Sequence, residues 1–188
     1  MKNRTLIPAL AAAPLAALAG GAGAQQAPFK IALLAPMTGP FASTGRHMEA
    51  GVRLYMALNG TTVAGRKIEL IVKDDTGTPD VTKRLAQELV ANEKVDVLAG
   101  FGLTPLALAT APIATQSKTP MVNMLAATSA VIDASPYMIR VSLTLPQITL
   151  GIAEWAPKNK IRKVVTLVSD YGPGIDAERT FVERFRLN

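Results

Sequence analysis

Cysteine is absent from all 188 residues of the sequence, and histidine occurs once. Without cysteine the protein forms no disulfide bond, holds no metal through thiolates and carries no lipid-modified cysteine as an anchor. No motif pairs the single histidine, His47, with a nucleophile, and we interpret it as a surface or capping residue. Histidine and acidic residues at metal-ligand spacing are also missing. The sequence therefore predicts no catalytic residue, no metal and no cofactor.

Long apolar runs are missing after the first 24 residues. Residues 1–24 begin with two cations, continue with an apolar run over 6–18 and end in small residues with an A-x-A pattern, which predicts a signal peptide cleaved after Ala24. The alternative is a membrane anchor, but two prolines interrupt a run already shorter than the ~20 residues that span a bilayer. Export without cysteine is typical of the bacterial periplasm, and no insertion into the membrane is predicted.

Acidic residues are outnumbered by basic ones, 14 to 20, which gives a formal net charge of +6. This balance can indicate nucleic-acid binding, but the basic residues are spread out and aromatic residues do not interleave with them. The densest basic group, over 158–163, lies where a helix is expected to end, and cations there interact favourably with the helix dipole. We therefore predict no nucleic-acid partner.

Strand-like and helix-like segments alternate along the rest of the chain. The strand-like segments are nearly continuous apolar runs, as expected where helices cover both faces of a parallel sheet. Asn59 and Gly60 close the first helix, and Thr78 with Pro79 opens the second. We predict an α/β fold with a doubly wound parallel sheet. Its strands are predicted over 29–35, 67–74, 95–100, 120–125, 136–142 and 163–169, and its helices over 44–59, 78–93, 104–117, 146–157 and 174–187.

Ligands of such sheets bind beyond the carboxyl ends of the strands. In the loop GFGLTP, Thr104 as N-cap and Pro105 predict a helix N-terminus, whose unpaired N–H groups and dipole suit a carboxylate. Gly100 and Gly102 would let a ligand approach the backbone closely. The alternative is an ordinary capped helix in a tight loop. The candidate loops are 36–45, 74–78, 100–104, 125–128 and 169–174.

The other loops offer hydroxyl groups, small residues and aromatic rings. Ala126 and Thr128 follow the strand at 120–125, where Thr128 is alternatively a cap before a short helical turn. Thr44 lies just after Phe41 ahead of a helix, and Tyr171 combines an apolar face with a hydroxyl at the end of the last predicted strand. These groups are suited to holding a small carboxylate and not to reacting with it.

An α/β enzyme that uses a nucleotide is the alternative function for this fold. Asp74 and Asp75 end a strand, where a dinucleotide-binding protein holds a ribose. The loop GFGLTP fails the phosphate-binding fingerprint, however, because Pro105 stands where the third glycine belongs. It also follows the acidic residues instead of preceding them. We predict a binding protein and not an enzyme.

The loops GPFASTG, DDTGTPD, GFGLTP, AATS and SDYGPG, in this order, resemble those of exported solute-binding proteins of ABC importers in the branched-chain amino-acid binding family. The resemblance runs from Phe29 to the end and implies a type I periplasmic binding protein fold, in which two α/β lobes close over a ligand. It implies a small carboxylate or amino acid as ligand and a membrane permease as partner. The ligand-binding residues that it implies are Leu103, Thr104, Ala126, Thr128 and Tyr171.

The sequence departs from this family in two respects. Thr44 stands where members that bind branched-chain amino acids often carry an aromatic residue, which leaves room for a differently shaped ligand such as an aromatic carboxylate. Full members are also roughly twice as long. We therefore expect an incomplete first lobe over 25–142, a crossing over 143–150 and the start of a second lobe over 151–188. The alternative to a working binding protein is a truncated remnant that is exported but does not close on a ligand.

Overall fold

The computed structural model describes residues 26–187, so the signal peptide predicted over 1–24 lies outside them. Its strands are β1 (Phe29–Ala35), β2 (Thr62–Val63), β3 (Arg66–Asp74), β4 (Val97–Gly100), β5 (Met121–Asn123) and β6 (Met138–Arg140). They form one sheet in the order β2-β3-β1-β4-β5-β6, in which every pair is parallel except β2 with β3. The prediction of a parallel α/β sheet is confirmed.

The helices begin and end close to the predicted positions. The first stops at Asn59 before Gly60, whose φ of +86° suits glycine, and the second starts at Pro79 directly after Thr78. The second helix then widens into a π-helical turn over Leu89–Glu93. The helices are α1 (Ala42–Asn59), α2 (Pro79–Glu88), α3 (Thr104–Ser117), α4 (Leu145–Lys158) and α5 (Gly172–Arg186).

The two faces of the sheet are covered unequally. Helices α2 and α3 lie on one face, where Leu34, Leu85 and Leu89 belong to a large buried cluster with Val81 packed against it. Val81, Leu85 and Leu89, spaced four residues apart, thus form one stripe along α2 and its π-helical extension. On the other face α1 contributes Met48 to a smaller cluster. The main hydrophobic core therefore lies between the sheet and the α2–α3 layer.

The strand order reverses at β1, because the chain passes from β1 to β3 on one side and then to β4 on the other. In open α/β sheets the crevice beyond the carboxyl ends at such a reversal is where ligands bind. Here Leu34 pairs with Gly100, and a Cβ atom at position 100 would lie 2.0 Å from the carbonyl oxygen of Leu34. Glycine at position 100 is thus required by the close approach of β1 and by its φ of +119°, not by a ligand.

After β6 the chain forms α4 and α5, which pack side by side and are joined by an ion pair between Glu154 and Arg184. The strand predicted between them, over 163–169, is wrong: residues 159–171 contain no strand in the described chain. Val165 and Leu167 are each 98% exposed. A strand is held by hydrogen bonds to a neighbour, and no described strand pairs with this segment. None of the described helices is both long and apolar enough to cross a membrane.

Candidate ligand-binding site

Thr104 and Thr128 meet in the structure, with their hydroxyl oxygens 2.8 Å apart. Thr104 follows β4 and is 4% exposed, and Thr128 follows β5 and directly precedes a 3-10 helical turn over Ser129–Ala134. The strands β4 and β5 are parallel neighbours, so their carboxyl ends lie at the same edge of the sheet. One hydroxyl donates to the other, which leaves the second hydroxyl hydrogen available to a ligand.

The predicted N-cap of α3 is displaced by one residue. Leu103 and not Thr104 is the N-cap, because Leu103 is extended (φ −130°, ψ 147°) and its carbonyl accepts the N–H groups of Leu106 and Ala107. Thr104 is thus the first helical residue, and its hydroxyl is directed at Thr128 instead of at its own helix. Thr128 does occupy an N-cap position, but its side chain makes no capping bond. Neither hydroxyl is used as a helix cap.

The loop after β5 is held from below by Asn123. This fully buried side chain donates to the carbonyl of Ala126 at 2.8 Å and accepts the Ala126 N–H at 2.9 Å. The same N–H also donates to the carbonyl of Phe101. Ala126 is thus buried with its backbone engaged, and in this structure its part is to shape the loop that presents Thr128.

Arg140, at the end of β6, holds the same loop from the side. Its Nη2 donates to the carbonyl of Thr128 at 2.6 Å and reaches that of Ser129 at 3.5 Å. Its Nε is buried and has no hydrogen-bond partner among residues 26–187. A guanidinium is always charged in proteins, so a fixed positive charge lies directly behind Thr128. Arg140 was not among the predicted site residues, because a lone arginine at a strand end carries no local signal.

The start of α5 completes this side of the site. Tyr171 is the N-cap of α5 and is partly exposed, and Gly172 is the first helical residue. A Cβ atom at Gly172 would lie 3.6 Å from the Thr128 hydroxyl and 3.7 Å from the Thr104 methyl group. The N-termini of α3 and α5 therefore converge on the two threonines. Each N-terminus carries partial positive charge, and neither is capped by a side chain.

A second group of site residues lies beside the first. A Cβ atom at Gly77 would lie 3.4 Å from the ring of Phe41 and 3.9 Å from the side chain of Leu103. Phe41 is the N-cap of α1 and is exposed, and Thr44 follows it within the first turn. The structure therefore brings an aromatic ring and Leu103 together at the loop after β3. Phe41 was not among the predicted ligand-binding residues, although its loop was.

The two aspartates after β3 support the loops instead of facing a ribose. Asp74 accepts the N–H of Met37 and the hydroxyl of Thr38, at 2.8 and 2.6 Å, and so joins the loops after β1 and β3. Asp75 is fully buried, and only its Oδ1 is paired, with the N–H of Gly77. Burial, with a smaller contribution from the charge of Asp74, raises the pKa of Asp75 to about 6.

A concavity of about 440 Å³ lies elsewhere, between α1 and the sheet. Its lining is almost wholly apolar, and its titratable side chains are those of His47 and Tyr55. It lies along the face of β1 and β3, where Ile31 and Ile68 line it together with Met124, which follows β5. Since it offers no cluster of donors, it is a poor site for a carboxylate. No group of histidine and acidic side chains within the described part of the chain has the arrangement of a metal site.

The strand-end site is therefore rich in hydrogen-bond donors and positive potential, which suits an anion. A family model described as periplasmic binding protein matches residues 28–187. The chain belongs to the periplasmic binding protein family. This agrees with the fold and with the resemblance seen in the strand-end loops.

Relatives of this periplasmic binding protein include proteins with bound aromatic acids. A solute-binding protein of an ABC transporter from Rhodopseudomonas palustris BisB5, solved with 3,4-dihydroxybenzoic acid, is 55% identical with a TM-score of 0.83, over 85% of this chain and 44% of that chain. One from R. palustris HaA2, solved with p-hydroxybenzoic acid, is 41% identical with a TM-score of 0.83, over 86% and 44%.

A curated relative carries a different ligand in its name. The Leu/Ile/Val-binding protein homolog 6 of Brucella abortus is 44% identical over 157 residues, which are 83% of this chain and 40% of the relative. The chain thus spans less than half the length of the relatives that it matches.

Proposed function

We propose that the protein is the exported substrate-binding component of an ABC importer and captures a benzoate-type aromatic carboxylate in the periplasm. It delivers this ligand to a membrane permease. The observation that carries the proposal is the convergence of two helix N-termini and the Arg140 charge on the hydroxyl pair of Thr104 and Thr128. The carboxylate of the ligand would accept hydrogen bonds from these groups, and charge-assisted hydrogen bonds are stronger than neutral ones.

The aromatic class is favoured by what surrounds the anion site. Phe41 and Tyr171 are exposed aromatic residues of the strand-end loops, and Thr44, in the first turn of α1 after Phe41, is small. An amino acid would also need a carboxylate for its ammonium group, but Asp176, next to this site, already accepts three hydrogen bonds from Ser129 and Arg179. A branched-chain amino acid is the second candidate, because the Brucella relative is named for leucine, isoleucine and valine.

The two-lobed arrangement is part of the proposal. The sheet built by residues up to Arg140 corresponds to the first lobe, and residues 143–150 correspond to the crossing. The chain from 151 onward corresponds to the start of the second lobe. Support comes from α4 and α5, which pack on each other, and from the described chain adding no strand to the sheet after β6. Closure would then bring Tyr171 and Gly172 against the ligand.

Isothermal titration with 3,4-dihydroxybenzoate, 4-hydroxybenzoate, benzoate and L-leucine tests the proposal. Thr104→Val removes the hydroxyl and keeps the volume of a buried side chain. A hydrogen bond to a charged group contributes about 1.5–3 kcal/mol, so the dissociation constant for the aromatic acid should rise at least about tenfold. The matched control is Thr61→Val, at an exposed residue next to the hairpin strand β2, and it should leave binding unchanged.

Three outcomes decide between the candidates. Binding of a benzoate that weakens in Thr104→Val, and not in Thr61→Val, supports the proposal. Tight binding of leucine alone replaces the aromatic ligand with the amino acid. Failure of the folded protein to bind any of the four compounds refutes capture by this chain and favours the remnant.

A further inference from the structure

Asp176 is an aspartate on α5 that is 3% exposed, and it lies far along the sequence from its main partner, Ser129. Its Oδ2 accepts the backbone N–H of Ser129 at 2.8 Å, and its Oδ1 accepts the Ser129 hydroxyl at 2.9 Å. Arg179, one turn later on α5, donates to Oδ1 at 3.1 Å. Both oxygens of a buried carboxylate are therefore satisfied, chiefly by one residue from a different part of the fold.

This arrangement fixes Asp176 in its charged form. Burial by itself would raise the pKa of Asp176, but the two hydrogen bonds from Ser129 and the charge of Arg179 hold the pKa below its ordinary value. Breaking the contact would leave a buried carboxylate with fewer donors, which is costly. Separating α5 from the loop that contains Ser129 would therefore cost free energy, so the contact favours the arrangement in which the two stay together.

The position of the contact relates it to the ligand site. Ser129 directly follows Thr128, and Asp176 lies about one helical turn after Gly172, whose backbone approaches both Thr128 and Thr104. The carbonyl of Ser129 is also within reach of Arg140. One loop is thus attached to β6 through Arg140 and to α5 through Asp176. These two attachments fix the distance between α5 and the hydroxyl pair of Thr104 and Thr128.

We infer that the Asp176–Ser129 contact is a clasp that holds α5 over the ligand site and slows release of the bound carboxylate. The inference rests on the proposed function, because it needs a ligand bound at the hydroxyl pair beside the start of α5. The clasp forms no bond to the ligand itself, so Asp176 is a positioning residue. It acts by stabilising the closed arrangement relative to an open one in which Ser129 and Asp176 separate.

A clasp and a purely structural contact differ in their kinetic effect. A clasp that also forms without ligand must open before the bound ligand leaves, so its loss speeds dissociation, whereas association is limited chiefly by diffusional docking. A structural contact affects the melting temperature and leaves the dissociation rate of the ligand unaltered. The side-chain bond of Ser129 also contributes to the clasp, so Ser129→Ala should reproduce part of the effect of Asp176→Asn.

The experiment has one readout without ligand and one with it. The first is amide hydrogen exchange at Ser129 in the ligand-free protein, in the wild type, Asp176→Asn and Ser129→Ala. The second is the dissociation rate of 4-hydroxybenzoate, measured by displacement. Asp133→Asn is the matched control, since Asp133 is an exposed aspartate on the 3-10 turn that Ser129 begins, and it changes the charge equally.

For Asp176→Asn we expect faster exchange at Ser129 and a dissociation rate raised about tenfold, with the association rate within about twofold. Unchanged exchange at Ser129 would overturn the contact itself, whatever the ligand does. Faster exchange with an unaltered dissociation rate would overturn the clasp while the proposed function stands. If the wild type binds no 4-hydroxybenzoate or other probe, the proposed function fails and the retaining role fails with it, whereas the exchange result still decides the contact.

Discussion

Two segments of this protein are both largely apolar, but their environments in the structure are opposite. The run FKIALLA forms β1, which pairs with β3 on one side and β4 on the other, and its last four residues are fully buried. The run KVVTLVS, over 163–169, pairs with no described strand, and Val165 and Leu167 in it are 98% exposed. The comparison shows that an apolar run forms a strand only where a neighbouring strand pairs with it. The sequence of the run indicates only that it is able to form one.

The largest effect that would sharpen this comparison comes from two glycines at which an added Cβ atom would clash with a carbonyl oxygen at nearly the same distance. Only Gly100 also has a positive φ, of +119°. A Cβ atom at Gly100 would lie 2.0 Å from the carbonyl oxygen of Leu34, and one at Gly174 would lie 1.9 Å from that of Ser169. Leu34 is locked in the centre of the sheet, whereas Ser169 ends the unpaired segment. We expect Gly100→Ala to lose more than about 4 kcal/mol of unfolding free energy and Gly174→Ala to lose clearly less.

Urea unfolding followed by circular dichroism measures both values. Gly51→Ala is the control, because Gly51 lies in α1 with nothing within 4 Å of a Cβ atom, and this substitution should stabilise the protein by about 0.5–1 kcal/mol. Equal losses of unfolding free energy at positions 100 and 174 would show that the segment before α5 is as rigid as β1. That result would contradict the contrast between the two runs.

A smaller difference in stability is expected when one leucine in each of the two runs is replaced by alanine. Leu33 in β1 is fully buried against Ala35 and Met48, so Leu33→Ala should cost about 2–5 kcal/mol. Leu167→Ala should change stability by less than about 0.5 kcal/mol, because its side chain already contacts water. Thermal unfolding of the two variants at one pH measures the difference. A large loss for Leu167→Ala would mean that a partner covers this run in solution.

The same comparison explains which features the sequence could specify. Helix ends at Asn59 and Pro79 depend on residues within one turn, and they were predicted correctly. The meeting of Thr104 and Thr128 followed from parallel topology, which brings the ends of successive strands to one edge. Arg140 and Asp176 could not be predicted, because their roles depend on partners 11 to 47 residues away. The strand at 163–169 failed for the same reason, since pairing is not a local property.

The smallest of the three effects concerns the aspartates that follow the two kinds of run, Asp75 after β3 and Asp170 after the unpaired segment. Asp75 is fully buried with Oδ2 unpaired, and Asp170 is exposed. Since the pKa of Asp75 is raised from 3.8 to about 6, the folded protein binds more protons than the unfolded chain between these values. The contribution of Asp75 to stability is therefore full below about pH 4 and is lost as the pH rises through about 6.

Asp75→Asn removes the titrating carboxyl group, and with it the loss of stability at rising pH. The variant keeps a side-chain oxygen that accepts the N–H of Gly77. Relative to the wild type, the variant should gain up to about 3 kcal/mol of unfolding free energy between pH 4 and pH 7. Asp170→Asn, at the exposed aspartate, is the matched control for the loss of one carboxyl group. Urea unfolding at pH 4, 5, 6 and 7 measures the difference between Asp75→Asn and the wild type. A flat difference for Asp75→Asn would mean that water or a cation reaches Oδ2, and that the end of β3 is as open to solvent as the unpaired segment.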